Sequence, residues 1–260
     1  MASLAAGWRI QRRVIGALLI RELVTRFGRE NIGFLWMMVE PLLFAGLVGI
    51  LWRFMKGPEE HGISVFAFIA TGYIPLTLFR NAVGRSIRVF SVNGSLMYHR
   101  QIKILDFIFV RVLIEVVGAS MAYLFIAVLL GAFGEFPMPA DLGSLLAGWF
   151  LYCLFTFSLC LLLAPVSEMS DVLEKLVPVI TYIMIPFSGT FNMVTWLTPQ
   201  AQTAVLYSPF VNAMELMRYG VFGDRVGAIW YVSVPIYASM LCMLVGLVLC
   251  RRIRRELVVE

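Results

Sequence analysis

RELVTRFGRENIGFLWMMVEP, residues Arg21 to Pro41, decides how this chain is organised, because a basic segment passes there directly into a long apolar one. On the amino-terminal side, residues 10–27 carry apolar side chains at close to helical spacing, with arginines between them. That pattern is typical of an amphipathic helix lying flat at a membrane surface, with its arginines toward lipid phosphates. On the other side, residues 32–52 contain one charge, Glu40, and are long enough to cross ~30 Å of hydrocarbon. The stretch therefore predicts a surface helix that leads into a spanning helix.

Composition agrees with a membrane protein. Hydrophobic residues make up 60% of the chain and charged residues 14%, and the mean hydropathy is +0.87. The net charge of +5 does not indicate nucleic acid, because the basic residues stand in short clusters beside apolar runs. The residues after Ala6 are basic and amphipathic, which does not resemble a removable signal peptide. We therefore expect a multi-pass protein of the cytoplasmic membrane.

The apolar runs predict an all-α polytopic fold with six transmembrane helices, an amino-terminal interfacial helix and re-entrant helices between spans five and six. The spans are expected at about residues 32–52, 63–79, 104–133, 142–166, from Leu176 to a break at Ser188-Gly189, and at 228–250. Asn93-Gly94 is a strong turn signal, and a short helix is expected on each side of it. Thr190 to Asp224 is too apolar for a loop and too interrupted by proline and glycine for one span, which predicts two short half-buried helices.

The basic residues indicate which side faces the cytoplasm. Six spans put both termini on one side, and sixteen of the 21 lysines and arginines lie on that side. Four lie on the other, namely Arg53, Lys56, Arg218 and Arg225. Both termini are therefore predicted to be cytoplasmic.

Embedded ions are the first candidates for function. Glu40, Asp106, Arg111 and Glu115 lie within predicted spans, and charge in a membrane is costly. A pathway or coupling role is one interpretation, and an internal ion pair is the other, because Arg111 and Glu115 are four residues apart and can pair within one helix. The aromatic residues likewise leave two interpretations open. They either anchor the protein in lipid and pack the helices, or they provide flat faces along which a sugar polymer slides.

Catalytic motifs are absent from the sequence. We find neither a GxxxxGK[ST] phosphate loop nor a cluster with metal-ligand spacing, and His61 and His99 lie in different loops. The four cysteines stand in apolar runs, where cysteine packs as a small hydrophobe. The sequence thus predicts a transport component rather than an enzyme, with no metal and no cofactor bound by this chain.

Three segments carry a family resemblance. Arg21 to Pro41, the polar segment from Asn93 to Asp106, and SPFVNAMELMRYGVFG from Ser208 to Gly223 together resemble the inner-membrane permease of capsular polysaccharide ABC exporters, a type-2 ABC transporter permease. The resemblance covers nearly the whole chain in length, span count and motif order. It is less specific for the substrate, because O-antigen and teichoic-acid export permeases share the plan.

The resemblance implies a division of the chain and a set of partners. Residues 1–31 would form the cytoplasmic interfacial helix, 32–250 the permease domain and 251–260 a basic cytoplasmic tail, with a coupling segment at about 94–103 and re-entrant helices at about 190–224. A second copy of the chain would complete a channel at the dimer interface, and two separate ATPase subunits would bind ATP and Mg. The substrate would be a polysaccharide with a lipid-phosphate end. The resemblance also allows periplasmic adaptor and outer-membrane export proteins as partners.

The resemblance also implies site residues. Arg26, Arg29, Arg85 and Arg88 would meet the anionic end as charge-assisted donors, or would serve only topology and lipid contact. The full substrate set is Arg26, Arg29, Glu40, Arg85, Arg88, Trp36, Tyr73 and Phe155. The residues expected to couple to the ATPase are Ser95, Leu96, Tyr98, His99, Arg100 and Lys103. Two alternatives stay open, a type-2 ABC exporter of O-antigen, teichoic acid or a small hydrophobic compound, and an ATPase-independent channel or scaffold.

Overall fold

The computed structural model describes residues 4–28, 32–97 and 101–257, with the backbone course alone for Leu4, Ala6, 32–38 and 255–257. Within these ranges the regular structure is helical except for one two-stranded hairpin. In chain order the elements are α1 (Leu4–Phe27), α2 (Ile32–Lys56), β1 (Glu59–Glu60), β2 (Ile63–Ser64), α3 (Val65–Ser86), α4 (Val89–Val92), α5 (Gly94–Met97), α6 (Ile104–Ala132), α7 (Leu142–Met169), α8 (Asp171–Ile183), α9 (Pro199–Val205), α10 (Pro209–Phe222) and α11 (Ser233–Leu257). Short 3₁₀ turns at Pro186–Ser188, Val194–Trp196 and Gly223–Val226 complete the connections.

Four of these helices are long and apolar enough to cross a membrane within the described residues. They are α3, α6, α7 and α11. This agrees with the predicted all-α membrane fold at the level of fold class. The predicted first span falls on α2, whose side chains are described only from Val39 onward. The predicted fifth span falls on α8, which begins at Asp171 rather than near Leu176 and whose 13 residues rise only ~20 Å.

Helix α1 confirms that the segment before Ile32 is helical. It ends at Phe27, and Gly28 follows with φ +70°, a conformation that glycine adopts without strain. Leu18 is buried against the bundle, whereas Trp8 and Ile20 are about two-thirds exposed, at 65% and 66%. The outer surface of α1 therefore carries both apolar side chains and arginines, which is the pattern of a helix at a membrane surface.

Helix α3 forms the centre of the core and runs beyond its predicted end at Phe79 to Ser86. It packs against α2, α6 and α7. The extension is helical because residues 80–86 contain no proline and pack Ala82 and Val83 completely into the interior. It carries Arg80 and Arg85 at the end of the helix, where cations interact favourably with the helix dipole.

The two short helices predicted around Asn93-Gly94 are present as α4 and α5. The two short helices predicted between Thr190 and Asp224 are also present, as α9 and α10, but the expectation that both are half-buried is wrong. Helix α9 has no buried residue, whereas twelve of the fourteen residues of α10 are buried. Helix α10 is buried because it packs along α7 with its backbone almost touching that of its neighbour.

The bundle has two distinct ends. One, which we call the α1 end, brings together α1, α4, α5 and the carboxyl end of α7, where Glu168 accepts hydrogen bonds from the backbone of α4. The other, which we call the hairpin end, holds the β-hairpin and the loop of residues 133–141. Ala140 and Asp141 in this loop donate backbone hydrogen bonds to the carbonyls of Val221 and Gly220 in α10.

Glu135 clamps three elements together at the hairpin end. Its Oε1 lies 2.8 Å from Arg53 Nη1 at the end of α2, and its Oε2 accepts a 2.5 Å hydrogen bond from Ser64 Oγ in β2. The hydrogen bond from Ser64 and then that from Arg53 hold the pKa of the Glu135 carboxyl below its ordinary value. The charged clamp therefore joins the end of α2 and strand β2 to the loop after α6.

The clamp predicts a small acid-dependent loss of stability. Because the pKa of Glu135 is lowered by folding, its contribution is present above the ordinary pKa of 4.5 and is lost as pH falls through the lower folded value. Between about pH 5 and about pH 3 the Glu135→Gln variant should lose less thermal stability than the wild type. The exposed Glu59→Gln variant, on the same hairpin, serves as the control and should follow the wild type. If the thermal stability of Glu135→Gln and that of the wild type fell equally with pH, the proposed contribution of the Glu135 contacts would be contradicted.

Candidate functional site

A buried carboxylate joins two arginines from different helices at the α1 end. Glu115 of α6 is only 2% exposed and its Oε1 contacts both Arg26 Nη1 of α1 and Arg85 Nε, 2.9 Å away, of α3. Arg85 keeps 40% of its side chain exposed, whereas Arg26 keeps 12%. One oxygen atom thus holds two guanidinium groups side by side, one of them open to the surroundings.

A second ion pair ties the same helices together one turn away. Arg111 Nε lies 3.2 Å from Glu22 Oε1 of α1, and Arg111 also donates a hydrogen bond to the backbone carbonyl of Arg85. The interpretation that Arg111 pairs with Glu115 inside α6 is therefore wrong. The two side chains find partners on α1 and α3 instead, because helix packing brings opposite charges from those helices closer.

Helix α1 is also joined to the middle of the segment between α3 and α6 and to the first turn of α6. Gln11 donates a hydrogen bond to Asp106 Oδ1 in the first turn of α6, and Asp106 Oδ2 accepts one from the backbone of Lys103, 2.9 Å long. Arg21 Nη1 donates a 3.0 Å hydrogen bond to Asn93 Oδ1, which lies between α4 and α5. A groove of about 470 Å³ separates α1 from this segment, with Arg21, Leu96 and Gln101 in its walls.

Acidic residues around the start of α8 contact the segment between α3 and α6 as well. Arg88 has a left-handed backbone with φ 50°, and its Nη2 lies 2.6 Å from Asp171 Oδ1 and 2.8 Å from Glu174 Oε2. Glu168 Oε1 accepts hydrogen bonds from the backbone N–H groups of Phe90 and Ser91, at 3.0 and 3.1 Å. A carboxylate at that position satisfies amino-terminal N–H groups of α4 and favours the short helix.

The structure brings together some of the predicted site residues and leaves others apart. Arg26 and Arg85 meet at Glu115, whereas Arg88 lies with Asp171, and Glu40 is exposed on α2 beside buried Pro41. Arg29, Tyr98, His99, Arg100 and the side chain of Trp36 lie outside the described residues. Of the predicted coupling residues, Ser95 and Lys103 are exposed and Leu96 is half-buried.

Two aromatic residues that were predicted to contact the substrate, Tyr73 and Phe155, are buried within this chain. Tyr73 is 7% exposed and stacks on Phe44 with ring centroids 4.1 Å apart. Phe155 is 5% exposed and packs edge-on against Phe210 of α10, with centroids 4.7 Å apart. Within one chain these rings therefore serve helix packing. Their role toward a substrate stays a prediction.

Three polar residues of α10 form a second buried group, which the sequence reasoning did not single out. Asn212, Glu215 and Arg218 are each at most 1% exposed and follow one another at intervals of three residues. Glu215 accepts hydrogen bonds from the backbone of Val194, 3.0 Å, and Ile229, 3.2 Å. Asn212 Oδ1 accepts a 2.6 Å bond from the backbone of Tyr231. The spacing Asn-x-x-Glu-x-x-Arg in an otherwise apolar helix is the signal that could have identified the group.

Arg218 is the centre of that group. It is completely buried, and its guanidinium donates to the carbonyls of Gly189, 2.6 Å, Thr190, 2.6 Å, and Asn192, 3.2 Å, while it lies 4.0 Å from the ring of Phe68. Arg218, which the sequence analysis counts on the non-cytoplasmic side, is thus buried inside the protein. An arginine can be buried here because backbone carbonyls accept hydrogen bonds from its Nη1 and Nη2 atoms, although its buried Nε has no partner among the described residues.

Neither group has the composition of a metal or cofactor site. Among the described residues no set of three or more histidine, cysteine, aspartate and glutamate side chains could hold a metal ion. The structure instead combines long apolar helices with two polar groups. One is the charged junction of Glu22, Arg26, Arg85, Arg111 and Glu115 at the α1 end, and the other is the set of buried, hydrogen-bonded polar residues in α10. This is the organisation of a helical membrane protein with two separate groups of polar side chains among its apolar helices.

Comparison with known proteins gives the family. The family model described as ABC-2 type transporter matches residues 13–222. The chain belongs to the ABC-2 type transporter family, and it is a membrane transport subunit of that kind.

Individual relatives match over nearly their full length. The chain is 39% identical over 242 residues to the capsule polysaccharide export inner-membrane protein BexB of Haemophilus influenzae, covering 93% of this chain and 91% of that protein. It is 39% identical over 241 residues to the capsule polysaccharide export inner-membrane protein CtrC of Neisseria meningitidis serogroup B, covering 92% and 90%. It is 25% identical over 251 residues to the polysialic acid transport protein KpsM of Escherichia coli, covering 95% of each. The family resemblance read from the sequence is thereby confirmed.

Proposed function

We propose that this chain is the inner-membrane permease subunit of an ATP-driven exporter of capsular polysaccharide. The observation that carries the proposal is the 39% identity to BexB and CtrC over more than nine-tenths of the chain. The charged junction, the four described spans and the buried α10 are compatible with a permease and give no support to a catalytic role.

The proposed topology has six spans with both termini in the cytoplasm. They are α2, α3, α6, α7, α8 continued through the turn at Pro186–Ser188, and α11. The α1 end then faces the cytoplasm and the hairpin end faces outward, with α9 and α10 as the re-entrant pair. Burial of α10 against α7 supports this, because broken helices are tolerated at membrane depth only where protein covers them.

Two copies of the chain would form the channel at their interface. Within one chain, α2 and α8 expose rows of apolar side chains, among them Leu47, Ile50 and Phe54 of α2 and Val172, Val179 and Ile183 of α8. Such faces suit either lipid or a second copy. A separate ATPase chain would supply energy by binding ATP and Mg, in keeping with the missing phosphate loop.

The proposed contact with the ATPase is the segment of residues 94–103. Its exposed Lys103 lies at the start of α6, so a force applied there reaches α6 directly and reaches α1 through Asp106 and Gln11. The anionic end of the substrate would approach Arg26, Arg85 and Arg88 at the same end of the bundle, and also Arg29, which lies outside the described residues. The site of substrate binding and the contact with the ATPase would thus lie close together at the α1 end.

Charge reversal in that segment gives a direct prediction. Lys103→Glu should lower the amount of ATPase that co-purifies severalfold while leaving membrane insertion intact, because it removes a basic contact for an acidic ATPase surface. Arg100→Glu is expected to act in the same way. The control is Lys175→Glu, an exposed residue of α8 outside the segment. Unchanged co-purification of both segment variants would remove the coupling assignment.

Deletion and complementation test the proposed function. In the organism that carries this chain, deleting its gene should leave completed capsular polysaccharide inside the cell, and a plasmid copy should restore it to the surface. The polymer is measured separately on intact and on lysed cells, so that a failure of synthesis is distinguished from a failure of export. Normal surface polymer in the deletion strain would refute the proposal.

An exporter of small hydrophobic compounds is the second candidate, and one cavity favours it. A cleft of about 760 Å³ lies between α6 and α7, and Tyr123, Phe136 and Trp149 are among its lining residues. Its walls are mostly apolar, which suits a compact hydrophobic molecule. Resistance of the deletion strain to such compounds decides the matter, since a loss of resistance with unchanged capsule would favour this candidate.

A further inference from the structure

Glu115 holds two arginines from different helices close together, although their positively charged guanidinium groups repel each other. Arg26 comes from α1 and Arg85 from the end of α3, and both contact the same oxygen atom of Glu115. With Glu22 and Arg111, the junction contains three guanidinium groups and two carboxylates. It therefore retains one excess positive charge.

The geometry leaves part of each guanidinium group available. Arg85 uses Nε and Arg26 uses Nη1 for Glu115, so each group keeps further N–H donors on other edges of its fork. Arg85 is 40% exposed, whereas Glu115 is 2% exposed. An anion arriving from outside thus reaches Arg85 first, with the less exposed Arg26 beside it, and does not reach the carboxylate.

Arg85 is held in position from two directions. Its backbone carbonyl accepts a hydrogen bond from Arg111, and its side chain is held by Glu115, both residues of α6. A half-exposed arginine is normally mobile, and ordering it costs side-chain entropy. Here that ordering is achieved before any ligand arrives, which is the condition for tight binding of a small anion.

We propose that Glu115 is a positioning residue that holds Arg26 and Arg85 together as a receptor for one phosphate group of a lipid head group. Paired guanidinium forks match the oxygen atoms of a phosphate group, and the exposed apolar surface of α1 places the receptor at a membrane surface. The inference deepens the proposed function, because it assigns a binding device to the end where an anionic, lipid-linked substrate would approach.

A binding measurement tests the role of Glu115. The purified protein in phosphatidylcholine nanodiscs is titrated with a fluorescent short-chain phosphatidic acid, and inorganic phosphate is added as competitor in a parallel series. Glu115→Gln should weaken phosphatidic acid binding about tenfold, because the two arginines separate. Arg85→Gln should weaken it to a similar extent. Competition by inorganic phosphate would assign recognition to the phosphate group alone, and its absence would assign it to a phosphate presented by the membrane.

Gln11→Leu is the matched control. It removes another contact between α1 and α6, the hydrogen bond from Gln11 to Asp106, which lies about four turns along α1 from Arg26. If Glu115 only fastens α1 to α6, both variants should weaken binding equally, which would overturn the inference. Tighter binding by Glu115→Gln would also overturn it, because Glu115 would then be a competitor of the ligand. The positioning role predicts that Gln11→Leu stays within about twofold of the wild type.

A conservative variant keeps the test decisive if Glu115→Gln fails to fold. Arg85→Lys preserves the charge at a half-exposed position and should leave thermal unfolding unchanged, but it replaces the planar fork by a single ammonium group. It should still weaken phosphatidic acid binding, and wild-type binding by this variant would contradict the paired-fork receptor. The assay uses neither polymer nor ATPase. Wild-type protein that ignores phosphatidic acid while gene deletion blocks export would refute this inference alone, whereas binding with normal export would refute only the proposed function.

Discussion

Replacing Arg218 with methionine is expected to lower the free energy of unfolding by about 3 kcal/mol or more and to abolish export. Methionine fills a similar space but donates no hydrogen bonds, so the carbonyls of Gly189, Thr190 and Asn192 would lose their partner inside the protein. The change also removes the positive charge that offsets the buried carboxylate of Glu215. The segment between α8 and α9 should therefore detach from α10.

Thermal unfolding in detergent and protease sensitivity of residues 189–194 measure this effect. The control is Arg225→Met, because Arg225 is exposed three residues after the end of α10 and should change stability by about 0.5 kcal/mol or less. Gly72 of α3 leaves room for the Arg218 guanidinium group, whose Nη2 lies 2.6 Å from where a Cβ at Gly72 would stand. If the two variants unfolded at the same temperature, the buried group in α10 would not be the support that the contacts indicate.

Replacing Gly220 with alanine is expected to have the second large effect. A Cβ atom at Gly220 would lie 2.2 Å from the backbone nitrogen and 2.6 Å from the Cα of Leu145 in α7. The same approach recurs at Gly148 of α7, where a Cβ would lie 2.5 Å from the backbone nitrogen of Met217. Backbone atoms cannot move aside as side chains can, so α7 and α10 would have to separate, at a cost of about 1–3 kcal/mol or more.

The same substitution elsewhere provides the control. Gly84 lies in α3, and nothing stands within 4 Å of where its Cβ would be. Gly84→Ala should retain or raise stability by up to about 1 kcal/mol, because alanine is the better helix former. The measurement is the thermal unfolding temperature of both variants in the same detergent. A Gly220→Ala variant as stable as Gly84→Ala would show that α7 and α10 are not in close backbone contact.

The sequence predicted the parts of the fold that depend on local pattern. The helix before Ile32, the helices on both sides of Asn93-Gly94 and four described spans follow from spacing, turn residues and the length of apolar runs. The end of α3 was misplaced by seven residues, because Arg80 was interpreted as the exit of the span and Arg85 as part of the polar stretch after it. They continue the helix instead, since Arg85 finds a partner in Glu115.

The contacts within the site could not be predicted in the same way. Arg111 and Glu115 have ideal spacing for a pair inside one helix, yet each binds a residue of α1, because their partners are set by how three helices pack. Arg218 falls in a region correctly predicted to contain short helices, but its burial could not be predicted, because its backbone partners lie 26 to 29 residues away. Tyr73 and Phe155 were chosen by residue type, and only packing reveals that each meets another ring.

Helix α1 is mechanically part of the bundle. Its contacts with Asn93, Asp106, Arg111 and Glu115 fasten it to the segment that precedes α6 and to α6 itself. A movement of α6 should therefore carry α1 with it.

Transport in inverted inner-membrane vesicles tests the central claim most directly. Vesicles that contain this chain and its ATPase partner, supplied outside with ATP and lipid-linked capsular polysaccharide, should accumulate the polymer in the lumen. Vesicles that lack this chain, or that receive a non-hydrolysable ATP analogue, should not accumulate it. Equal accumulation with and without this chain would contradict its assignment as the permease.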